Sequence, residues 1–203
     1  GEMMSRHTTF SAGGPADGFV EVSCADELVR LVSLCHENDI PYILQEGIAQ
    51  EEKGVHVLDV NVGLPEIDEI SMLENVVKEL QSVTTLPLQL DTSNVQAMER
   101  AMRLYNGKPL INSVNGKAEV MQAIFPLVKK YGGVVVALTL DEDGIPETAE
   151  LRIKIAEKIY ETAQKYGISK NDIIIDPLAM AISSDTKSAV ATLQTLKSIH
   201  EKY

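Results

Sequence analysis

The chain has 203 residues, 44% of them hydrophobic, which is enough for an α/β domain with a proper core. Its net charge of −12, from 18 basic and 30 acidic side chains, disfavours nucleic acid as a partner, because phosphate binding needs a basic surface. No apolar run approaches a membrane span, and the lack of Trp and scarcity of Phe argue against a base-stacking platform.

Gly1-Glu2-Met3-Met4 reads as an appended leader and is set aside for fold reasoning. Gly18 to Val22 is the first strand; Ser23 and Asp26 form a capping-box pattern for a helix running to about Glu37. Pro41 to Leu44 is the second strand. Cys35 falls on the apolar stripe Leu28, Leu31, Val32, and Cys24 does not pair with it by metal-ligand spacing. Few cysteines and no secretory signal point to a cytosolic setting. The polar stretch Gln45 to Gly54 leaves room for a short helix.

From Val55 a regular β/α alternation begins. Val57 to Asn61 is a strand and Asp68 to Ser82 a helix. Leu86 to Asp91 is a strand; Thr92-Ser93-Asn94 caps a helix to about Tyr105. Pro109 to Asn112 is a strand, followed by a helix from Ala118 to Tyr131 that Gly132-Gly133 ends. Val134 to Asp141 is a strand, and Pro146 opens a helix with Glu147 and Glu150 in its first turn and Gly167 at its end. Ile173 to Asp176 is the last strand, and Ser184-Asp185 starts a helix reaching Tyr203. Seven strands and seven helices make one domain over residues 1–203.

The apolar runs are short, continuous and β-branched, as parallel strands buried on both faces should be. Each closes on Asp or Asn: Asp59 and Asn61, Asp91, Asn112, Asp141, Asp176. Ligands of parallel α/β folds sit at the carboxyl ends of the strands, so these residues describe a polar pocket for a small molecule. The rival reading is that each caps the helix after its strand. The expected architecture is α/β with parallel strands wrapped by helices, a TIM-barrel-like arrangement, complete, incomplete or rearranged; the alternative is an open doubly wound sheet. Asp141-Glu142-Asp143-Gly144 lacks the rest of a calcium loop and reads as a turn; His7, His36, His56 and His200 show no zinc spacing. Gly13-Gly14 reads as a turn.

From about Gly47 to Tyr203 the chain resembles the folate-binding domain of cobalamin-dependent methionine synthase and the wider pterin-binding barrel family. Leu58-Asp59-Val60-Asn61-Val62-Gly63, Leu90-Asp91-Thr92-Ser93-Asn94, Leu110 to Gly116, Ala137 to Asp141 and Ile174-Ile175-Asp176-Pro177 carry the likeness, in order and at consistent spacing. The first segment, with Arg6 to Phe10, Gly13 to Asp17 and the strand-helix-strand to about Leu44, is similar to the start of UDP-N-acetylenolpyruvoylglucosamine reductase. Its Gly-rich flavin phosphate loop would follow Leu44, where Gln45-Glu46-Gly47-Ile48 stands instead. A switch of likeness near residue 45 suggests an artificial chimera.

The pterin likeness implies that Asp91, Asn112 and Asp176 contact the aminopyrimidinone edge of folate, with Asp59 and Asn61 on the same rim. It implies methyltetrahydrofolate as ligand, with the methyl group passing to cobalamin on a separate domain. Family members continue through two further strand–helix units, and one of those strands brings an Asn near the folate N5. The expectation for a chimera lacking them is little pterin binding and no catalysis; the alternative is a working methyltetrahydrofolate-binding domain of a corrinoid-dependent methyltransferase. Exposed sheet edges make a homodimer or swapped oligomer plausible.

Overall fold

The computed structural model describes residues 2–3, 15–16, 45–63, 67–180 and 186–202. The strands expected at 18–22 and 41–44, the helix between them, both cysteines and the reductase-like motifs lie outside these residues, apart from Pro15-Ala16. The chain divides into two units, Gly1–Tyr42 and Ile43–Tyr203. In the first, β1 (Glu2–Met3) pairs antiparallel with β2 (Pro15–Ala16). Two residues of the supposed leader therefore take part in a β pair.

The second unit runs α1 (Gln45–Glu52), β3 (Leu58–Val60), α2 (Glu69–Val83), β4 (Leu88–Asp91), α3 (Val95–Leu104), β5 (Leu110–Asn115) and α4 (Ala118–Tyr131). It continues with β6 (Val134–Leu138), α5 (Ala149–Lys165), a 3-10 turn (Lys170–Asp172), β7 (Ile173–Asp176) and α6 (Thr186–Lys202). The caps account for most boundaries. Asp68 accepts from Ser71 N at the start of α2, and Asn94 Oδ1 accepts from the N–H groups of Gln96 and Ala97 at 3.0 and 3.2 Å at the start of α3. Gly132 ends α4 in the left-handed region, φ 73°. Pro146 does not open α5; Thr148 caps it through Leu151 N, and the helix starts at Ala149.

The strands pair in parallel in the order β3-β4-β5-β6-β7. A doubly wound sheet reverses its order at a switch point and carries helices on both faces. Here the order never reverses, and each helix contacts the next, α1 to α6 in turn. Right-handed crossovers in one direction keep all helices on one face, as in a barrel wall. The doubly wound alternative is therefore set aside for the described strands.

Burial alternates along the strands, which corrects the expectation that both faces are equally buried. Leu58, Val60, Leu88, Leu90, Ile111, Val135 and Ile173 are buried against the helices, while Asp59, Gln89, Leu110, Val134 and Val136 on the opposite face are half-buried or exposed. Helix stripes at 3.6-residue spacing supply the other half of the core: Met72, Leu73, Val77 and Leu80 on α2, Met121, Ile124, Phe125 and Val128 on α4. Leu73, Val77, Leu90, Ile111, Phe125 and Ile159 are fully enclosed. Each such side chain contributes about 1.5–3 kcal/mol relative to exposure. The core thus lies between sheet and helices; the opposite face mixes Asp59 and Gln89 with Leu110, Val134 and Val136.

Candidate functional site

The parallel register sorts the expected site residues into rows. In the lowest row Asp59 stands opposite Gln89, which stands opposite Leu110. Gln89 Nε2 donates to Asp59 Oδ1 at 2.6 Å. Desolvation raises the Asp59 pKa above the usual carboxylate range, and the nearby Asp91 charge adds to this against the Gln89 hydrogen bond.

In the next row Asp91 stands opposite Asn112. Asn61, just past the end of β3, donates from Nδ2 to Asp91 Oδ2 at 2.8 Å, and its Oδ1 accepts from Gly63 N at 3.0 Å. The structure therefore brings Asn61, Asp91 and Asn112 together on three consecutive strands. The Asn112-Ser113 peptide is cis, and the β5–β6 register shifts between Asn112 and Val114.

Asp176 lies elsewhere on the rim. It stands opposite Leu138, which stands opposite Asn115, so β6 separates it from Asn112 and it occupies the following row. Its Oδ1 accepts from Leu178 N at 2.8 Å, and its backbone carbonyl accepts from Thr139 N and Thr139 Oγ1, both at 3.1 Å. Leu178 has φ 59°. A left-handed L-residue costs about 1–2 kcal/mol, so this turn is held by its surroundings.

Asp141 is not on the rim. β6 ends at Leu138, and Asp141 pairs with Gly144 in a tight turn in which Asp143 N donates to Asp141 Oδ1 at 3.1 Å. Four strands, not five, bring Asp or Asn to the strand ends, and β5 does not close on Asn112 as expected but runs on to Asn115. Asp141 lines a separate cavity of about 330 Å³ with Lys154 and Lys158.

The capping reading fails for Asp91, because Asn94 caps the helix that follows. At the start of α4 the acceptor comes from a neighbouring loop: Glu142 Oε1 takes the Ala118 N–H at 3.1 Å. Asp91, Asn112 and Asn115 line a cavity of about 310 Å³ together with Ser93, Glu119 and Val120. Such a volume is at the small end for ligand sites.

Three partners of the site are not among the residues to which the sequence points. Gln89 serves Asp59. Glu69, in the first turn of α2, accepts from Thr92 Oγ1, which in turn accepts from Asn94 N at 2.9 Å. Arg152 is buried on α5 and bonds the loop after Asp176. Of these only Arg152 left a signal: it falls on the stripe Arg152, Ile155, Ala156, Ile159, Ala163, where a charged side chain is out of place. Among the described residues no helix is long and apolar enough to cross a membrane.

With this geometry in view the chain can be set beside known proteins. It is 31% identical over 170 residues to the methylcorrinoid:tetrahydrofolate methyltransferase of Eubacterium limosum, covering 82% of this chain and 62% of that protein. It is 27% identical over 164 residues to the methionine synthase of Mycobacterium leprae, covering 76% of this chain and 14% of that protein. The chain thus spans less than two thirds of either relative's length. Among solved structures it is similar to a 7,8-dihydropteroate synthase from Vibrio fischeri, with a TM-score of 0.55 and 20% identity over 76% of this chain and 63% of the other. At that identity the likeness shows the fold, and the fold is barrel-like. The family match runs over residues 30–203, so it begins inside the segment read as reductase-like and does not break near residue 45. That match is to the family described as pterin binding enzyme, and the chain belongs to this family.

Proposed function

We propose that the Asn61–Asp91–Asn112 row binds the aminopyrimidinone edge of a reduced folate, and that the chain is the methyltetrahydrofolate-binding part of a corrinoid-dependent methyltransferase. The expectation of an inactive chimera gives way to its alternative, because the family match runs across the expected junction. The observation that carries the proposal is the row itself: a carboxylate and an amide in register on adjacent strands, with a second amide 2.8 Å from the carboxylate.

The chemistry fits. The pterin edge offers a ring N–H and an exocyclic amine side by side, and one carboxylate accepts both. The Asn112 amide donates to and accepts from the remaining ring heteroatoms. Asn61 holds the Asp91 carboxylate in place, so little ordering is left for the moment of binding. The acidic rim favours a positively charged N5, from which methyl transfer leaves a neutral amine as the leaving group. A corrinoid on a separate domain would supply the cobalt that exchanges the methyl group. Among the described residues of this chain no group of three His, Cys, Asp or Glu side chains could hold a metal.

Calorimetric titration with 5-methyltetrahydrofolate tests the reading. Wild type should bind, and Asp91→Ala should lower affinity about 10- to 150-fold, from a charged hydrogen-bonded contact of about 1.5–3 kcal/mol. Asn112→Ala should lower it less. Equal affinity in wild type and both variants, or no binding by cooperatively folded wild type, sinks the proposal.

A further inference from the structure

Arg152 is the largest of the fully buried side chains among the described residues, 1% exposed. Its Nε donates to Pro146 O at 2.9 Å. Its Nη1 lies 2.7 Å from Pro177 O and 2.9 Å from both Leu178 O and Thr192 Oγ1. Its Nη2 donates to Ser188 Oγ at 3.1 Å. One guanidinium thus joins the loop before α5, the loop after β7 and the first half of α6, and every one of these acceptors is a neutral oxygen.

An apolar side chain at this stripe position would hold α5 against α6 without the cost of desolvating a charge. What an apolar side chain could not do is fix two successive carbonyls. Pro177 and Leu178 directly follow Asp176, and the left-handed Leu178 turns its N–H back onto the Asp176 carboxylate. The planar fork of Arg matches this task; the point charge of Lys does not.

We infer that Arg152 is a positioning residue: by holding the Pro177–Leu178 turn it aims the Asp176 carboxylate into the rim, and so tunes ligand affinity through Asp176. This rests on the folate reading above, extended to the Asp176 contact that the pterin likeness implies, and adds to it a residue remote from the rim.

A double-mutant cycle tests the coupling. Arg152→Lys, Asp176→Ala and the double variant are titrated with 5-methyltetrahydrofolate, and hydrogen exchange of the Leu178 amide is read on the ligand-free chains. Arg152→Lys should weaken binding about tenfold in the wild-type background and less than about twofold in the Asp176→Ala background. It should also speed Leu178 exchange at least about tenfold while amides of the β4–β5 core keep their protection. Equal losses in both backgrounds, or an unchanged Leu178 amide, overturn the inference. If Arg152→Lys does not fold, Leu178→Gly frees the same turn from the other side, and the same coupling to Asp176 is expected. Failure of wild type to bind would count against the folate reading alone, and the exchange measurement would still decide the role of Arg152.

Discussion

The two sides of the rim are built differently. On β3, β4 and β5 the polar side chains bond each other across strands: Gln89 to Asp59, Asn61 to Asp91. At the ends of β6 and β7, and from α5 behind them, they bond backbone: Thr139 to the Asp176 carbonyl, Asp176 to the Leu178 amide, Arg152 to two carbonyls beyond it. The first arrangement leaves side chains at the surface that can exchange one partner for another, as a ligand site requires. The second is a part-buried set of backbone bonds that holds the turn after Asp176. Under the proposed reading, the β3–β5 side carries most of the recognition, and the β6–β7 side holds Asp176 in place for it.

The comparison can be broken most forcefully at Arg152. Arg152→Met leaves several buried acceptors unmatched and should cost about 3–5 kcal/mol, read by urea denaturation. A loss under about 1 kcal/mol would mean that the β6–β7 side is not locked. Next in size is the seam between the sides. A Cβ at Gly116 would lie 2.7 Å from Ile155 Cγ2 and 2.9 Å from Leu140 O, so Gly116→Ala should cost about 1–3 kcal/mol in the same assay. On the recognition side the expectation reverses. Asn61→Ala should change stability by less than about 1 kcal/mol yet weaken folate binding several-fold, since Asn61 is exposed and its neutral-to-charged bond orders Asp91.

The smallest effect depends on pH. The folded-state pKa of Asp59 lies above 3.8, so the folded chain holds this proton more tightly than the unfolded one. Whatever stability the group gives is present below 3.8 and lost as pH rises through the folded value. Asp59→Asn keeps the acceptor for Gln89 and removes the charge. It should raise Tm slightly at pH 7, and the gain should vanish as pH falls below 3.8. A gain that grows in acid would contradict the assignment.

Much of the β/α alternation could be read in the chain because its signals are local. Glycines mark the end of α4, the 3.6-residue stripes mark the helices, and β7 occupies the run Ile173 to Asp176. The end of β6 is shorter than its apolar run because Leu140 and Asp141 belong to the turn that follows, whereas β5 runs on past Asn112 to Asn115. The rim residues were legible as types at strand ends, but their rows were not. Register and the shift at Asn112–Val114 are set between strands, and they part Asp176 from Asn112. Arg152 was legible only as a misplaced charge on an apolar stripe, since its acceptors come from segments up to 40 residues away.

The most direct test of the central claim compares two ligands on two proteins. Wild type and Asp91→Ala are titrated with a tetrahydropterin and with its analogue lacking the 2-amino group. If Asp91 reads the aminopyrimidinone edge, wild type should favour the amino form about tenfold or more, and Asp91→Ala should bind both forms about equally. The same preference in both proteins would place the pterin edge elsewhere and contradict the account.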